Sequence, residues 1–457
     1  MAFHDLCTKF FHSIVFFIKM ILYAATLATF FLLFAIDNPE IIGLSRTAAV
    51  TLSTYAIMLF LLSFMYGGYD AGERRWGQVA LSVSLSVIFT DLITYFELTI
   101  MKTNEANNTT FKLENFGILF LVFAVQILLI LLMSYAGEKF YFWINPKEKC
   151  LVVTSHDTDA KRIASAFSTY QKRYEITAIV PFDDPDLEDH MVENDTIVLY
   201  ELPVEERTHI VDFCYQNLKN IYFNPHIADI LEQNSRPVIM DDISLFTTRY
   251  HMITFEERLV KRLMDTVISL AALIITSPIL LVAAICIKKT DGGKVFFRQK
   301  RATVHGRVFE IIKFRTMREN VANFSSTEGD ERITKVGRVL RKYRIDELPQ
   351  FVNILKGDMS LVGPRPEMLE NVEDYEKDLP EFRYRLRMKA GLTGYAQIYG
   401  KYNTSSRDKL MLDLMYIENY SLIRDIQLLF QTVLVLFKAE DSTEAFAGPA
   451  DRETSDE

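Results

Sequence analysis

An Asp-Glu pair, Asp346-Glu347, follows directly on a basic run made of Arg338, Arg341, Lys342 and Arg344. The same stretch, RVLRKYRIDELPQFVNILKGDMSLVGPRP, closes on Arg365 held between Pro364 and Pro366. A carboxylate can act as a nucleophile, a base or a Mg²⁺ ligand. Arginine matches phosphate oxygens bidentately. A proline on each side lowers the backbone entropy lost when Arg365 is fixed. Acid and base gathered in this way point to phosphoryl chemistry assisted by a metal. A solvated helix laced with i,i+4 ion pairs is the plain alternative. The apolar context of the pair and its basic partners upstream favour the chemistry.

Those partners begin after Asp291-Gly292-Gly293. From Arg298 to Arg344 there are 13 Lys or Arg against 5 Asp or Glu, in a chain whose net charge is −9. Residues 308–317, VFEIIKFRTM, alternate as a strand that puts Phe309, Ile311, Lys313 and Arg315 on one face. Two cations at i,i+2 stand about 6–7 Å apart, a span that suits a diphosphate. A basic patch under lipid headgroups has the same look. Further on, Arg383, Arg385, Arg387 and Lys389 alternate, and Gly391-Leu392-Thr393-Gly394 reads as a turn where backbone can approach a ligand.

The elements that must position these residues are partly membrane helices. The 457 residues exceed one ordinary domain, and 49% are hydrophobic. Four apolar segments, about 11–36, 47–66, 79–100 and 116–136, are each long enough to cross a bilayer. Arg74 and Arg75, then Lys139, Lys147 and Lys149, mark the loops expected on the cytoplasmic side. The first segment has no small-residue cleavage site and is expected to stay as an anchor. Asp91 is the ionisable residue deep in these segments, and packing inside a bundle is the common explanation. Asn107-Asn108-Thr109 matches a glycosylation acceptor only weakly. The four cysteines make no metal-ligand spacing and read as reduced thiols. The acidic balance excludes a general nucleic-acid binder.

From about 149 to 250, strands alternate with helices, the pattern of a Rossmann-like parallel sheet. CLVVTS, YEITAIV, DTIVLYEL, IYFNP and RPVIMDDI are its expected strands. The first strand-to-helix turn, around His156 and Asp157, lacks GxGxxG, so a scaffolding or regulatory module without a dinucleotide is expected. A fifth apolar run, 263–287, contains Ser277-Pro278 near its middle. It is flanked by Lys261-Arg262 and by Lys288-Lys289. A proline-kinked crossing and a helix that turns at Ser277-Pro278 and leaves on the same side both fit. Re-entry is the expectation, because a crossing strands the basic catalytic stretch outside, away from nucleotides.

Taken together, Lys261-Arg262 with Asp265, Ser277-Pro278, FFRQKR at 296–301, KFRTM at 313–317, DELPQ at 346–350, GDMSLVGPRP at 357–366 and GLTG at 391–394 resemble the bacterial sugar transferases. These are polyisoprenyl-phosphate hexose-1-phosphate transferases, or monotopic phosphoglycosyl transferases. The resemblance covers about 258–437, and the four helices and α/β segment in front resemble the long form of the family. Ala302 departs from a frequent Val-Gly, with Gly306 nearby. The resemblance implies transfer of a hexose-1-phosphate from a UDP-sugar to polyprenyl phosphate, usually undecaprenyl phosphate, at the cytoplasmic face of the bacterial inner membrane. The products would be polyprenyl-diphosphate-sugar and UMP, as an early membrane step of capsule or exopolysaccharide synthesis. It implies Asp346 as nucleophile, forming an aspartyl-phosphosugar intermediate. It implies Glu347 as base or in metal placement, and Mg²⁺ with Asp346 as ligand. Arg301, Lys313, Arg315, Arg341 and Arg365 are the candidate phosphate contacts.

The expected organisation is then four transmembrane helices in 1–148, a Rossmann-like module in 149–250 and a mainly helical catalytic domain in 251–438. That domain includes the re-entrant helix 259–290, and 439–457 form an acidic disordered tail. The α/β module offers a surface for a homodimer. Two other readings compete: an inverting glycosyltransferase, which would release UDP, and a membrane-anchored regulator with a ligand-sensing Rossmann-like domain. The intact Asp346-Glu347 stands beside Lys313 and Arg365, which weighs against the regulator. The identity of the sugar is left open.

Overall fold

In the computed structural model the described residues are 11–70, 74–105, 113–155, 157–168, 170–248, 250, 253–318, 332–400 and 404–437. The glycosylation-like Asn107-Asn108, His156 and the acidic tail therefore lie outside them. The chain divides into two compact units, 1–224 and 225–457.

The first unit begins with four long apolar helices: α1 (Phe11–Phe34), α2 (Arg46–Tyr66), α3 (Trp76–Glu105) and α4 (Phe116–Ile144). All four contribute to one core, with Leu22, Phe30, Tyr55, Val83, Tyr95 and Leu119 among its buried members. Their outward faces carry exposed Phe and Leu side chains, as a lipid-facing surface requires. Asp91 is fully buried on α3, where the Gln126 amide of α4 donates to it at 3.3 Å.

A parallel sheet follows in the same unit, built from β1 (Glu148–Thr154), β2 (Tyr174–Pro181), β3 (Thr196–Tyr200) and β4 (Asn220–Phe223) in the order β2-β1-β3-β4. Helices α5 (Asp157–Ser168), α6 (Leu187–Glu193) and α7 (Val204–Gln216) connect the strands. Leu151 and Val153 of the inner strand β1 enter one apolar cluster, Cys150 and Val152 another. Both faces of the sheet are covered, which is why CLVVT reads as an unbroken apolar run. The sheet is shorter than the sequence suggested. RPVIM does not join it. After α8 (Ile227–Glu232), β5 (Arg236–Met240) pairs antiparallel with β6 (Ile243–Thr247) in the second unit. The two residues between them, Asp241-Asp242, make a tight turn with Asp241 at φ 60°. A hairpin turn of this hand outcompetes a fifth parallel pairing, which needs a long crossover.

The second unit is organised on α9 (Phe255–Asp291), 37 residues long. Thr254 and Glu257 form a capping box at its start, and Gly292 in the left-handed region closes it. The helix runs through Ser277-Pro278 without interruption, and the Ser277 hydroxyl donates to the Ile274 carbonyl at 2.8 Å. Among the described residues, five helices, α1 to α4 and α9, are long and apolar enough to cross a membrane, which marks a membrane protein.

Next come the antiparallel pair β7 (Phe296–Ala302) and β8 (Val308–Phe314), then α10 (Lys335–Lys342), a 3-10 turn at Ile345–Glu347 and α11 (Gln350–Lys356). The strand expected to reach Met317 stops at Phe314. A short strand β9 (Ser360–Val362) pairs in parallel with β10 (Gly391–Thr393). Between them lie α12 (Leu369–Asp378) and 3-10 turns over Pro380–Arg387. The chain then runs through α13 (Tyr395–Ile398), α14 (Ser406–Glu418) and α15 (Leu422–Phe437). GLTG is thus a strand and not a ligand turn. A Cβ on Gly391 would stand 2.1 Å from the Gly363 nitrogen, so the close approach is between two stretches of this chain. The larger core of the unit buries Phe309, Ile354, Leu361, Phe382, Leu414 and Leu428.

Candidate active site

Asp346 and Glu347 occupy the 3-10 turn between α10 and α11. The turn is forced by Arg344, whose φ of 53° places a bulky residue in the left-handed region. Such strain costs of order 1–3 kcal/mol and tends to persist at functional sites. Pro349 precedes α11 and has no N–H to lose. With seven residues, α11 is too short for a strong end charge, so the electrostatics of the pair come from side chains.

Neighbouring elements set those side chains. Asn353 of α11 bridges to β8: its amide donates to the Glu310 carbonyl at 2.7 Å, and its oxygen accepts from Ile312 N–H at 2.9 Å. This lock brings the end of β8 to the dyad. Lys313 Nζ then donates to Glu347 Oε1 at 2.7 Å. Arg341 reaches from α10 and donates through Nε to Thr316 Oγ1 at 2.9 Å. The helix sits close because Gly337 lies against Thr316, where a Cβ would come within 2.0 Å of the carbonyl oxygen.

The two carboxyls are unequal. Burial raises Asp346, as does the charge of Glu347, and the Lys313 and Arg341 cations offset this only in part, so its pKa is pushed up to about 6. Burial also acts to raise Glu347, but the Lys313 and Arg365 cations outweigh it and hold that carboxyl well below its usual range. Glu347 is the ion-paired member, and Asp346 carries the charge its surroundings compensate poorly.

Of the residues expected to contact phosphate, the structure brings Lys313, Arg341, Arg365 and Arg301 to the pair by contact or by charge. It places Arg315 differently. Arg315 is buried and donates through Nε to the Lys294 carbonyl at 2.6 Å, tying the end of β8 to the segment before β7. Arg301 donates to Gln299 Oε1 at 2.6 Å and to the Pro366 carbonyl at 3.4 Å. Burial lowers its pKa to about 10.

Lys261-Arg262 flank the apolar stretch of α9 in sequence. Both are turned into the protein. Lys261 Nζ lies 2.5 Å from Asp425 Oδ2 and donates to the Val362 carbonyl at 3.0 Å. Tyr416 donates to the other oxygen of Asp425 at 2.7 Å. Arg262 donates to the Ile354 and Leu355 carbonyls, both at 2.6 Å, and so caps the end of α11. Asp265 accepts from Leu361 N–H at 2.9 Å and from the Ser360 hydroxyl at 3.1 Å. The spacing of Lys261, Arg262 and Asp265, one helical turn apart, was the available signal for an inward face. Their partners lie about a hundred residues away or more and left no mark.

A hard divalent cation such as Mg²⁺ fits this donor set. Asp346 offers carboxylate oxygens with uncompensated negative charge, and Glu347 stands next to it. Among the described residues no group of three or more His, Cys, Asp or Glu could hold a metal alone. Mg²⁺ is often held by one or two carboxylates with substrate phosphates completing the shell.

The bacterial sugar transferase family model matches residues 256–439. An N-acetylgalactosaminephosphotransferase of Aeromonas hydrophila acting on undecaprenyl phosphate is 42% identical over 181 residues, covering 38% of this chain and 43% of that protein. A UDP-glucose:undecaprenyl-phosphate glucose-1-phosphate transferase of Caulobacter vibrioides is 39% identical over 190 residues, 40% of this chain and 71% of that one. An uncharacterized sugar transferase of Bacillus subtilis is 38% identical over 201 residues, 42% of this chain and 98% of that protein.

Proposed function

Because the chain belongs to the bacterial sugar transferase family, we propose that it transfers a hexose-1-phosphate from a UDP-sugar to polyprenyl phosphate. The products are polyprenyl-diphosphate-sugar and UMP. The observation that carries this reading is the asymmetry of the dyad: Glu347 is held by Lys313, whereas Asp346 is half-buried, poorly compensated and ionised at neutral pH. In the first step an Asp346 oxygen attacks the sugar-proximal phosphorus. A P–O bond forms, the bond to the bridging oxygen breaks, and UMP leaves with the electron pair. In the second step a polyprenyl phosphate oxygen attacks the same phosphorus and releases the Asp346 carboxylate. Two displacements at one phosphorus predict ping-pong kinetics.

Arg365, Lys313 and Arg341 bring positive charge to the transferred phosphate. Glu347 is ill suited to be the base, since its surroundings favour the ionised form so strongly. Keeping Lys313 in place and completing a metal site suit it better. Mg²⁺ on Asp346 and the substrate diphosphate would supply charge neutralisation for the departing nucleotide.

The same proposal places α9 as a re-entrant helix, with the catalytic unit on the cytoplasmic face of the inner membrane. Its support is that both ends of α9 meet one folded unit. Arg262 holds Ile354 and Leu355, while Ala283 and Ile287 pack with Phe314 and Leu340. Twenty-five straight helical residues span about 37 Å, so a bend at Pro278 eases both attachments. The side chains between them, including Ile274 and Ile275, are exposed and apolar.

Membranes carrying the protein are incubated with a panel of UDP-sugars and polyprenyl phosphate. The expected nucleotide product is UMP, lost in Asp346→Asn, with a sugar-phosphate adduct on Asp346 found by mass spectrometry when acceptor lipid is omitted. UDP as the product would replace this reading with a direct glycosyl transfer.

A further inference from the structure

The segment Pro364-Arg365-Pro366 cannot hold itself in a ladder, because two of its three residues have no N–H. Instead its three consecutive carbonyls are each taken by a donor from elsewhere. Gly391 N–H donates to Pro364 at 2.9 Å. Arg385 Nη2 donates to Arg365 at 2.7 Å. Arg301 Nη1 reaches Pro366 at 3.4 Å. The middle donor is the most elaborate. Arg385 is only 3% exposed, and its Nη2 lies 2.5 Å from Oδ2 of Asp413, itself 1% exposed on α14. Its Nη1 stands 4.0 Å from Glu367, which Lys409 also approaches at 3.4 Å.

An ion pair this deeply buried gains little over apolar side chains of similar volume, since desolvation offsets most of its attraction. What apolar residues could not supply is a directed N–H at the Arg365 carbonyl. We infer that Arg385, anchored by Asp413, is a positioning residue for Arg365: it fixes the backbone at that residue and thereby where its guanidinium stands relative to Glu347. This rests on the proposed role of Arg365 as a phosphate contact. Arg301 joins Arg385 as a second clamp on the same loop. Asp413 has its pKa raised to about 6 by burial, against the pull of Arg385, so the anchor weakens in mild acid. The groups facing it are Arg385, Glu367 and Lys409.

The test is a double-mutant cycle in the full-length protein in membranes, read as UMP release. Arg385→Lys keeps the charge but cannot span Asp413 and the Arg365 carbonyl with a rigid fork. It is expected to lower kcat about tenfold, with KM for the UDP-sugar changed less than about threefold. In an Arg365→Ala background the same change is expected to cost less than about twofold, because the residue it positions is gone. Asp413→Asn, which retains an acceptor oxygen, is carried through the same cycle, and melting curves report the folded fraction of every variant. If Arg385→Lys does not fold, the Asp413→Asn cycle decides. An equal factor in both backgrounds, no loss in the wild-type background, or full activity of Arg365→Ala overturns the inference. Asp346→Asn is the control: full turnover there refutes the proposed reaction, whereas an inactive control with an additive cycle refutes only the positioning role.

Discussion

Replacing Asp346 by Asn should stabilise the protein while abolishing turnover. The folded chain raises this carboxyl from 3.8 to about 6 through burial and the neighbouring Glu347. A raised acid binds its proton more tightly folded than unfolded. Its stabilising contribution is therefore full below about pH 4 and lost as pH rises through about 6. At pH 7.5 the ionised carboxylate costs the fold roughly two pKa units, about 3 kcal/mol at most. Asn removes that charge but turns an amide toward Lys313 and Arg341, and the site is not wholly closed to solvent, so a net gain of about 1–2 kcal/mol is expected. That corresponds to a rise of about 2–6 °C in Tm for a unit of this size. Calorimetry in nanodiscs with EDTA present, to keep divalent cations off the carboxylate, measures it. At pH 4.5 the gain should shrink to about a third, because the wild-type carboxyl is then largely protonated. A variant that melts at or below wild type at pH 7.5, or gains equally at both pH values, refutes the account of this charge.

Turnover should fall about tenfold per pH unit below about 6 as Asp346 takes up its proton, and a flat rate of UMP release from pH 5 to 7.5 would contradict its role as nucleophile. Lys313→Met strips Glu347 of its partner and should lower kcat at least about tenfold, whereas Arg315→Met should chiefly lower Tm, since Arg315 ties the Lys294 segment. Comparable kcat losses in the two would dissolve that distinction. Asp425→Ala leaves Lys261 buried without its carboxylate and should destabilise the second unit by about 3–5 kcal/mol, visible as faster proteolysis. An unchanged cleavage rate would mean that Lys261 finds water.

The sequence was most legible where a period or a length carries the physics. The apolar helices declared themselves by length, and the inner strands β1 and β3 by runs that are buried on both faces. The dyad and Arg365 were legible as residue types in order along the chain. What escaped was pairing over distance. RPVIM has the composition of a buried strand, yet the Asp241-Asp242 turn folds it onto its successor. Arg315 has the chemistry of a phosphate ligand, but its Nε is given to the Lys294 carbonyl. Arg385 and Asp413 are separated by two elements, and nothing in either neighbourhood announces the other. Lys261 reads in sequence as the basic flank of an apolar helix, yet it is 6% exposed and paired with Asp425.

The exposed middle of α9 has a practical consequence. Because Ile274, Ile275 and Val282 belong to the second unit and not to the first, cutting the chain ahead of Pro225 would not yield a water-soluble catalyst. The shortened protein would still partition into bilayers and demand detergent for purification, with α9 serving as its own foothold.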